Sequence, residues 1–366
     1  MRWPKRLGSY RRVLLPVVIL GFVTLAIVSL PLFDTESPKP LKLHVDPAHQ
    51  QRVHEYVQSV LQRECRPGNA RRSLLDRLPA SGHVTQPFLG SDAPLPDDLF
   101  LFPPPFGFRG LRDKLEDTLR LLPRTEPPRP QQGPGACRRC VVMGNGGILR
   151  NMELGPLIDR FDTVIRLNSG PLGEFSGDVG NRTSIRVSYP EGTPRQWVDH
   201  DPQPLFVAVV YKAVDLSWLS AMINKHTVGL WDRLFFWQKV PDRIPLEPQR
   251  FRLLNLQLIR ETAMGLLQYP PPQSRLWGLD PNVPTLGMSA LSLASLLCDE
   301  VSLAGFGYNL SQQGAPLHYY DRLPMAAMLK QKMHNVDRER ELLRELVKGG
   351  AISDLTGGLH CSVCSG

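Results

Sequence analysis

The sequence predicts an α/β domain with a mostly parallel central sheet flanked by helices, placed behind an N-terminal transmembrane helix. Three observations predict it. In residues 137–191 an apolar run at Val141, Val142 and Met143 meets the turn Gly144-Asn145-Gly146-Gly147. Residues 148–158 then accept a helix, and residues 163–167 form a second strand that ends on Asn168. Further strand-like runs at residues 205–211, 251–256 and 301–304 alternate with helical patterns at 218–223 and 259–267. Alternation of this kind builds a largely parallel sheet with helices on both faces. Finally, residues 13–33 are 21 uncharged, mostly apolar positions, long enough to cross a bilayer as a helix.

The charges around that stretch orient it. Arg2, Lys5, Arg6, Arg11 and Arg12 precede it, and Asp34 and Glu36 follow. Residues 1–12 are therefore expected to be a cytosolic tail, 13–33 an uncleaved signal anchor, and the remainder lumenal. A cleaved signal peptide is the alternative, but its apolar core is normally shorter and ends in a small-x-small site, which Ser29-Leu30-Pro31 is not. The modest span suits a thin early-secretory membrane. The net charge of +8 fits an anionic partner, although most such charge is a solvated face, and no nucleic acid is expected as partner.

A lumenal location changes the meaning of the six cysteines. Cys137-x-x-Cys140 and Cys361-x-x-Cys364 have zinc-ribbon spacing, whereas an oxidising compartment makes disulfides the better default. Spacing alone does not choose among the pairings. Two sequons, beginning at Asn181 and Asn309, become glycosylation sites there.

Residues 34–136 read as a tether and N-terminal lumenal extension with two helices packed on the core, and 137–366 as the main domain. Residues 34–43 carry no pattern of their own. Val53, Tyr56, Val57, Val60 and Leu61 place a helical stripe across residues 49–64, which has to be buried and so is expected to dock. Residues 66–107 are rich in proline and read as irregular. Leu111, Leu115, Leu119 and Leu122 define a second helix that Pro123 ends, and 123–134 are a linker. No internal repeat is visible.

Ligands of open parallel sheets bind beyond the carboxyl ends of the strands, where the Gly144 turn and Asn168 fall. Such a turn can bring backbone N–H groups and a helix N-terminus against a phosphate, but alone it is a weak signal. Three later stretches keep it company. They are Pro284-Thr285-Leu286-Gly287 with Cys298-Asp299-Glu300 after it, His318-Tyr319-Tyr320-Asp321, and His334-Asn335-Val336-Asp337-Arg338-Glu339. Together with residues 140–191 they resemble the four sialylmotifs of animal sialyltransferases, in that family's order and spacing. The stretches at residues 44–67, 104–109, 206–218, 231–237 and 273–278 are similar to family members whose acceptor is lactosylceramide, so the resemblance covers about residues 44–357.

The resemblance implies a single Rossmann-like glycosyltransferase domain in the Golgi membrane, anchored as a single-pass type II protein. It implies transfer of sialic acid from CMP-sialic acid to the 3-hydroxyl of a terminal galactose, with inversion and with no metal or cofactor. The acceptor would be lactosylceramide, with glycoprotein or other glycolipid galactosides as the alternative; a homo-oligomer stays open. Elementary chemistry agrees, because the leaving group is already a stable phosphate monoester. What the reaction needs is a base for the acceptor hydroxyl and a donor to the departing phosphate.

By the same resemblance His334 is the base, His318 the phosphate partner, and Asn145 and Asn168 contact the nucleotide and phosphate. Thr285 would hydrogen-bond the sialyl part, and Gly287 and Gly307 would let the backbone approach the donor. Asn335 can cap the helix running through Leu342, Leu343, Leu346 and Val347, which sets His334 beside a positive dipole end and disfavours the imidazolium. Glu339 is expected to orient the loop or the imidazole; an ordinary first-turn acid is the alternative. The two glycines equally suit plain tight turns.

Some positions depart from relatives. Val283 and Trp237 stand where certain galactoside sialyltransferases have phosphate-binding tyrosines, and Asp178 where lactosylceramide-specific members can carry histidine. The resemblance implies disulfides Cys140–Cys298 and Cys65–Cys137, and leaves Cys361 and Cys364 to pair together or between chains. Trp231, Phe235, Phe236 and Trp237 read either as core packing or as an acceptor- or membrane-facing patch. Three rival readings remain. Gly144, Gly146 and Asp162 mimic a Rossmann dehydrogenase. Asp199-His200-Asp201 could serve a metal-dependent glycosyltransferase. A membrane-tethered binding protein would bind CMP without transfer.

Overall fold

The sheet is built from strands β1 Phe88–Leu89, β2 Arg139–Met143, β3 Thr163–Leu167, β4 Ile185–Ser188, β5 Leu205–Ala208, β6 Phe251–Leu254, β7 Glu300–Ala304 and β8 Ser353–Asp354. Their spatial order is β1-β6-β5-β4-β3-β2-β7-β8, parallel throughout except for β1 against β6. The computed structural model describes residues 45–79, 83–125, 137–201, 203–272, 282–307, 311–331 and 333–362. The apolar stretch at 13–33, Asn309 and Cys364 lie outside these residues. Among the described residues no helix is long and apolar enough to cross a membrane.

Side-chain alternation along the strands explains the layering. In β2, Cys140 and Val142 join one apolar core, while Val141 and Met143 join another on the opposite face. Both faces are covered, so the strands read as continuous apolar runs; every residue of β5 and β6 is buried. The helices that cover them are α1 Pro47–Gln62, α2 Asn69–Leu75, α3 Arg112–Leu119, α4 Gly155–Ile158, α5 Ser176–Val179, α6 Ala213–Ile223, α7 Leu230–Arg233, α8 Leu256–Arg260, α9 Leu286–Leu297, α10 Ala327–Lys330 and α11 Val336–Lys348.

α1 docks as its stripe requires. Val53, Val57 and Val60 are fully buried with Val141 and Met143, and Asp46 caps the helix by accepting from Ala48 N–H, with Pro47 in the first turn. Among the described residues Cys65 pairs with Cys137 and Cys140 with Cys298, and Cys361 is disulfide-bonded too; three of the four cysteines of the zinc-ribbon reading, Cys137, Cys140 and Cys361, are therefore oxidised, which removes it. The bridges close separations of 72 and 158 residues. Loop-closure entropy makes each worth about 4–5 kcal/mol. The first ties the end of α1 to the start of β2, and the second ties β2 to the entry of β7. Asn181 is exposed, as a glycan acceptor has to be.

Two stretches differ from expectation. Residues 148–158 form not one helix but a single turn at Gly147–Leu149 and then α4. Asn151 and Glu153 between them have φ of 61° and 52°, and the Asp178 carboxylate holds both by accepting their N–H groups at 2.8 and 2.9 Å. The acid at 178 is therefore a clamp on left-handed backbone, away from any ligand cleft. Residues 66–107 are less irregular than their prolines imply. They contain α2 and β1, whose Phe88 and Leu89 are buried on the sheet edge.

Candidate active site

From β2 the chain adds β3, β4, β5 and β6 to one side, then returns to lay β7 and β8 on the other. The carboxyl ends of β2 and β7 thus flank the point where the order reverses, and crevices of doubly wound sheets open there. A cleft of about 710 Å³ lies at this place.

Close backbone contact assembles its floor. Gly144 N–H donates to Ala304 O at 2.8 Å and Gly146 N–H to Gly305 O at 3.0 Å. A Cβ on either glycine would come within 2.6 Å of the Gly305 carbonyl, so no other residue fits. The segment carrying His318 then crosses this turn: Gly147 N–H donates to Leu317 O and Tyr319 N–H to Asn145 O, both at 3.0 Å. His318 lines the cleft, its ring stacked on Tyr320 and its Nδ1 2.7 Å from Asp321 Oδ2. A carboxylate there accepts, so Nδ1 is the donor and Nε2 is left for a ligand.

His334 is held differently. Its Nδ1 lies 2.7 Å from Val283 O. A carbonyl only accepts, so Nδ1 carries the hydrogen and neutral His334 presents the Nε2 lone pair. Gln331 brackets the same residue, accepting from His334 N–H at 2.9 Å and donating to its carbonyl at 2.8 Å. Burial pushes the imidazole below its usual value, with the Val283 bond acting against it. Desolvation thus acts in the direction expected of a histidine beside a helix start. Asn335 does cap α11, accepting from Arg338 N–H at 3.1 Å.

Glu339 reaches neither histidine. One oxygen accepts from Thr285 N–H at 2.7 Å and the other from the Thr285 hydroxyl at 2.6 Å. Thr285 is the N-cap of α9 and also accepts from Met288 N–H, so its hydroxyl hydrogen is committed to Glu339 while one lone pair stays open on the cleft wall. Glu339 therefore binds the loop directly and acts on the imidazole only through it. It fixes residues 283–285, and through the Val283 carbonyl it sets the ring of His334. Burial pushes Glu339 up to about 7, against the two Thr285 bonds that pull it down.

Asn145 and Asn168 both line the cleft. Asn145 donates from Nδ2 to Leu167 O at 3.3 Å, and Asn168 sits at φ 50° with its Oδ1 accepting from Ser188 Oγ. Gly287 and Gly307 line it too, yet what demands glycine there is internal. A Cβ at 287 would lie 2.8 Å from the Phe306 ring, and Gly307, at φ 93°, abuts the Gly358 carbonyl.

Comparison with known proteins decides the family. Residues 88–351 match the profile described as "Glycosyltransferase family 29 (sialyltransferase)". This chain belongs to glycosyltransferase family 29, the sialyltransferases. A Homo sapiens "Lactosylceramide alpha-2,3-sialyltransferase" is 47% identical, covering 94% of this chain and 82% of the relative. A Mus musculus "CMP-N-acetylneuraminate-beta-1,4-galactoside alpha-2,3-sialyltransferase" is 36% identical over 93% and 96%. The solved "Crystal Structure of a Mammalian Sialyltransferase" shares the fold, with a TM-score of 0.60 and 24% identity over 80% of this chain and 98% of that one.

The dehydrogenase reading falls with this sialyltransferase geometry. Asp162 accepts from Arg139 N–H at 2.7 Å, at the amino end of the sheet and opposite the cleft where a ribose would need it. The metal reading falls as well, because both oxygens of Asp199 are taken by Arg186 and Thr183. Val283 acts through its backbone, as above. Trp237 lines the cleft, and its neighbours Tyr189 and Tyr211 place two phenols there that the sequence reading passed over. They share the cleft lining with the glycine turn, from which they are more than forty positions away in the chain. Asp321 stood in the His318 motif without a role and Gln331 had no place in any motif, although their three-residue spacing from His318 and His334 is a usable signal.

In this sialyltransferase, Glu339→Ala strands the Thr285 N–H and hydroxyl in a buried place. The expected cost is about 2–4 kcal/mol of stability. With the Val283 carbonyl loosened, kcat is expected to fall roughly 10–100-fold, as small displacements of a catalytic group do. Glu339→Gln still accepts from Thr285 N–H and should keep most of both. Thermal melts and the acid limb of the pH–rate profile read the two effects; an Ala variant with the parent's melt and limb refutes the positioning role.

Proposed function

We propose that this sialyltransferase transfers sialic acid from CMP-sialic acid to the 3-hydroxyl of a terminal galactose, with lactosylceramide as its main acceptor. The observation that carries the chemistry is the bond from His334 Nδ1 to the Val283 carbonyl, which leaves Nε2 as a lone pair on the cleft wall. In this reading Nε2 takes the hydroxyl proton as the sugar oxygen attacks the anomeric carbon. The bond from that carbon to the phosphate oxygen breaks on the opposite side, giving inversion and CMP. His318, backed by Asp321, donates to the departing oxygen, while Asn145 and Asn168 hold the nucleotide and phosphate. Arg340 and Arg344, also on the cleft wall, offset the donor's negative charge.

The acceptor assignment is supported by the higher identity to relatives named for lactosylceramide than to the relative named for β-1,4-galactosides. The basic tail and apolar stretch at 13–33 support a type II anchor with this domain on the lumenal side of the Golgi membrane. The proposed chemistry requires no divalent ion. Radiolabelled CMP-sialic acid offered to a panel of lactosylceramide, galactosylceramide, free lactose and a galactose-ended glycoprotein tests the whole reading. Transfer should be greatest to lactosylceramide and unchanged in EDTA. Loss of activity in EDTA, or a preference for the glycoprotein, overturns the corresponding part.

A further inference from the structure

The aromatic cluster at residues 231–237 is not core. Only Phe236 turns inward, packing on the main core with Lys212 Nζ 4.7 Å from its ring centroid. Around it, Leu230, Trp231, Leu234 and Phe235 stand 67–82% exposed, and Trp237 is 55% exposed. Soluble surfaces scatter such residues singly and rarely group five large ones within eight positions.

The knuckle is firmly held from beneath. Arg233 donates to Val228 O at 3.1 Å and pairs with Asp242 at 2.7 Å; Trp218 Nε1 donates to Pro241 O just beyond. Its apolar side chains are therefore displayed on a fixed base. The patch is also continuous with the active-site cleft, because Trp237 belongs to both. Across the cleft, Met325, Met328 and Met333 line the wall, and Leu329 beside Met328 is itself 54% exposed. A CMP-sugar is polar and anionic and has no use for this apolar mouth. Exposed Lys239 and Arg243 follow the patch in sequence.

We propose that this knuckle is a membrane-seating lip, which lies in the bilayer interface and admits a glycolipid's sugar to the cleft while its acyl chains stay in the lipid. The proposal rests on the glycolipid reading above and adds where the lipid goes. Mixed Trp, Phe and Leu on a rigid turn match the preference of aromatic rings for the headgroup boundary, and neighbouring cations suit anionic headgroups. Residues 34–46 separate the apolar stretch at 13–33 from α1. That length of chain extends to at most about 45 Å, so an anchor there would tether the domain near a membrane.

Two measurements on the full chain in phosphatidylcholine vesicles test it. Trp231, Leu234 and Phe235 do not line the cleft, so the triple variant Trp231→Ser, Leu234→Ser, Phe235→Ser should leave kcat/KM on free lactose within about twofold. On vesicle-borne lactosylceramide it should lose at least about tenfold, the scale of removing a few buried apolar side chains from an interface. Equal loss on both acceptors, or no loss on the lipid, overturns the lip and points to a protein partner or a structural role. Separately, dibrominated phosphatidylcholine should quench tryptophan emission in the parent more than in Trp231→Phe. Equal quenching also overturns the lip. If the parent transfers to no acceptor while the quenching difference stands, the glycolipid reading has failed and the membrane contact has not.

Discussion

Replacing His334 with alanine is expected to lower kcat by about 10³-fold while CMP affinity stays within about threefold. The magnitude is what a positioned general base contributes. The separation of the two effects follows from the geometry. His334 is held by Val283 and Gln331 on the loop before α11, whereas the glycine turn, Asn145 and Asn168 lie on the far side of the site, at the ends of β2 and β3. Residual turnover within tenfold of the parent would remove His334 from the role of base. The pH dependence supplies a second check. Burial depresses the imidazole, so its neutral, active form persists below the usual value of 6.5. Activity should therefore hold as pH falls from 7 to 6.5, with the acid limb of kcat/KM lying lower. An acid limb above 6.5 contradicts the desolvated histidine. A limb that stays put in the alanine variant assigns the titration to another group.

Much of this arrangement was visible in the residues. The strand at Thr163–Leu167, the cap at Asn335 and the docking of α1 follow from local patterns, because each depends on contacts only a few positions apart. The site motifs were legible for the same reason, each being a short run. What the residues concealed were bonds that span the chain. Glu339 lies 54 positions from Thr285, and nothing local distinguishes it from a first-turn acid favouring the dipole. The break within residues 148–158 depends on Asp178, more than twenty positions away, holding two left-handed residues that sequence alone reads as helical. β1 and β8, two residues each, are too short to show any period. The aromatic run at 231–237 was ambiguous because apolarity says that a surface must be covered, not by what. Its exposure in the fold moves it from core to surface.

The deepest hidden feature also yields the largest expected loss of stability. Asp199→Ala is expected to destabilise the protein by about 3–5 kcal/mol, the cost of removing one partner of a buried ion pair. Arg186 and Asp199 are both wholly inaccessible: the carboxylate accepts from Arg186 Nε at 2.7 Å and from its Nη2, and from the Thr183 hydroxyl at 2.6 Å. Arg166 lies directly across the strand pair from Arg186 and is nearly as buried. Burial pushes Arg166 down to about 10, with Arg186 adding to that and Asp199 opposing it. One carboxylate thus helps balance two guanidinium groups inside a sheet, and its removal leaves both charges in a medium that solvates them poorly. The consequence reaches the site, because Arg186 Nη1 donates to Asn168 O at 2.5 Å and both of its terminal nitrogens face Gly170 O. Asn168 holds a left-handed backbone at the cleft, and this buried arginine is one of the bonds that keep it there. Thermal melting should show a drop of roughly 10 °C for a domain of this size. At a temperature where the variant is still folded, CMP should bind more weakly. Asp199→Asn keeps the shape and part of the hydrogen bonding without the charge, so it should fall between the parent and Asp199→Ala. If the Asn variant melts with the parent, shape and not charge carries the contribution; if the Ala variant does too, the pair is not what holds Arg186 beneath Asn168.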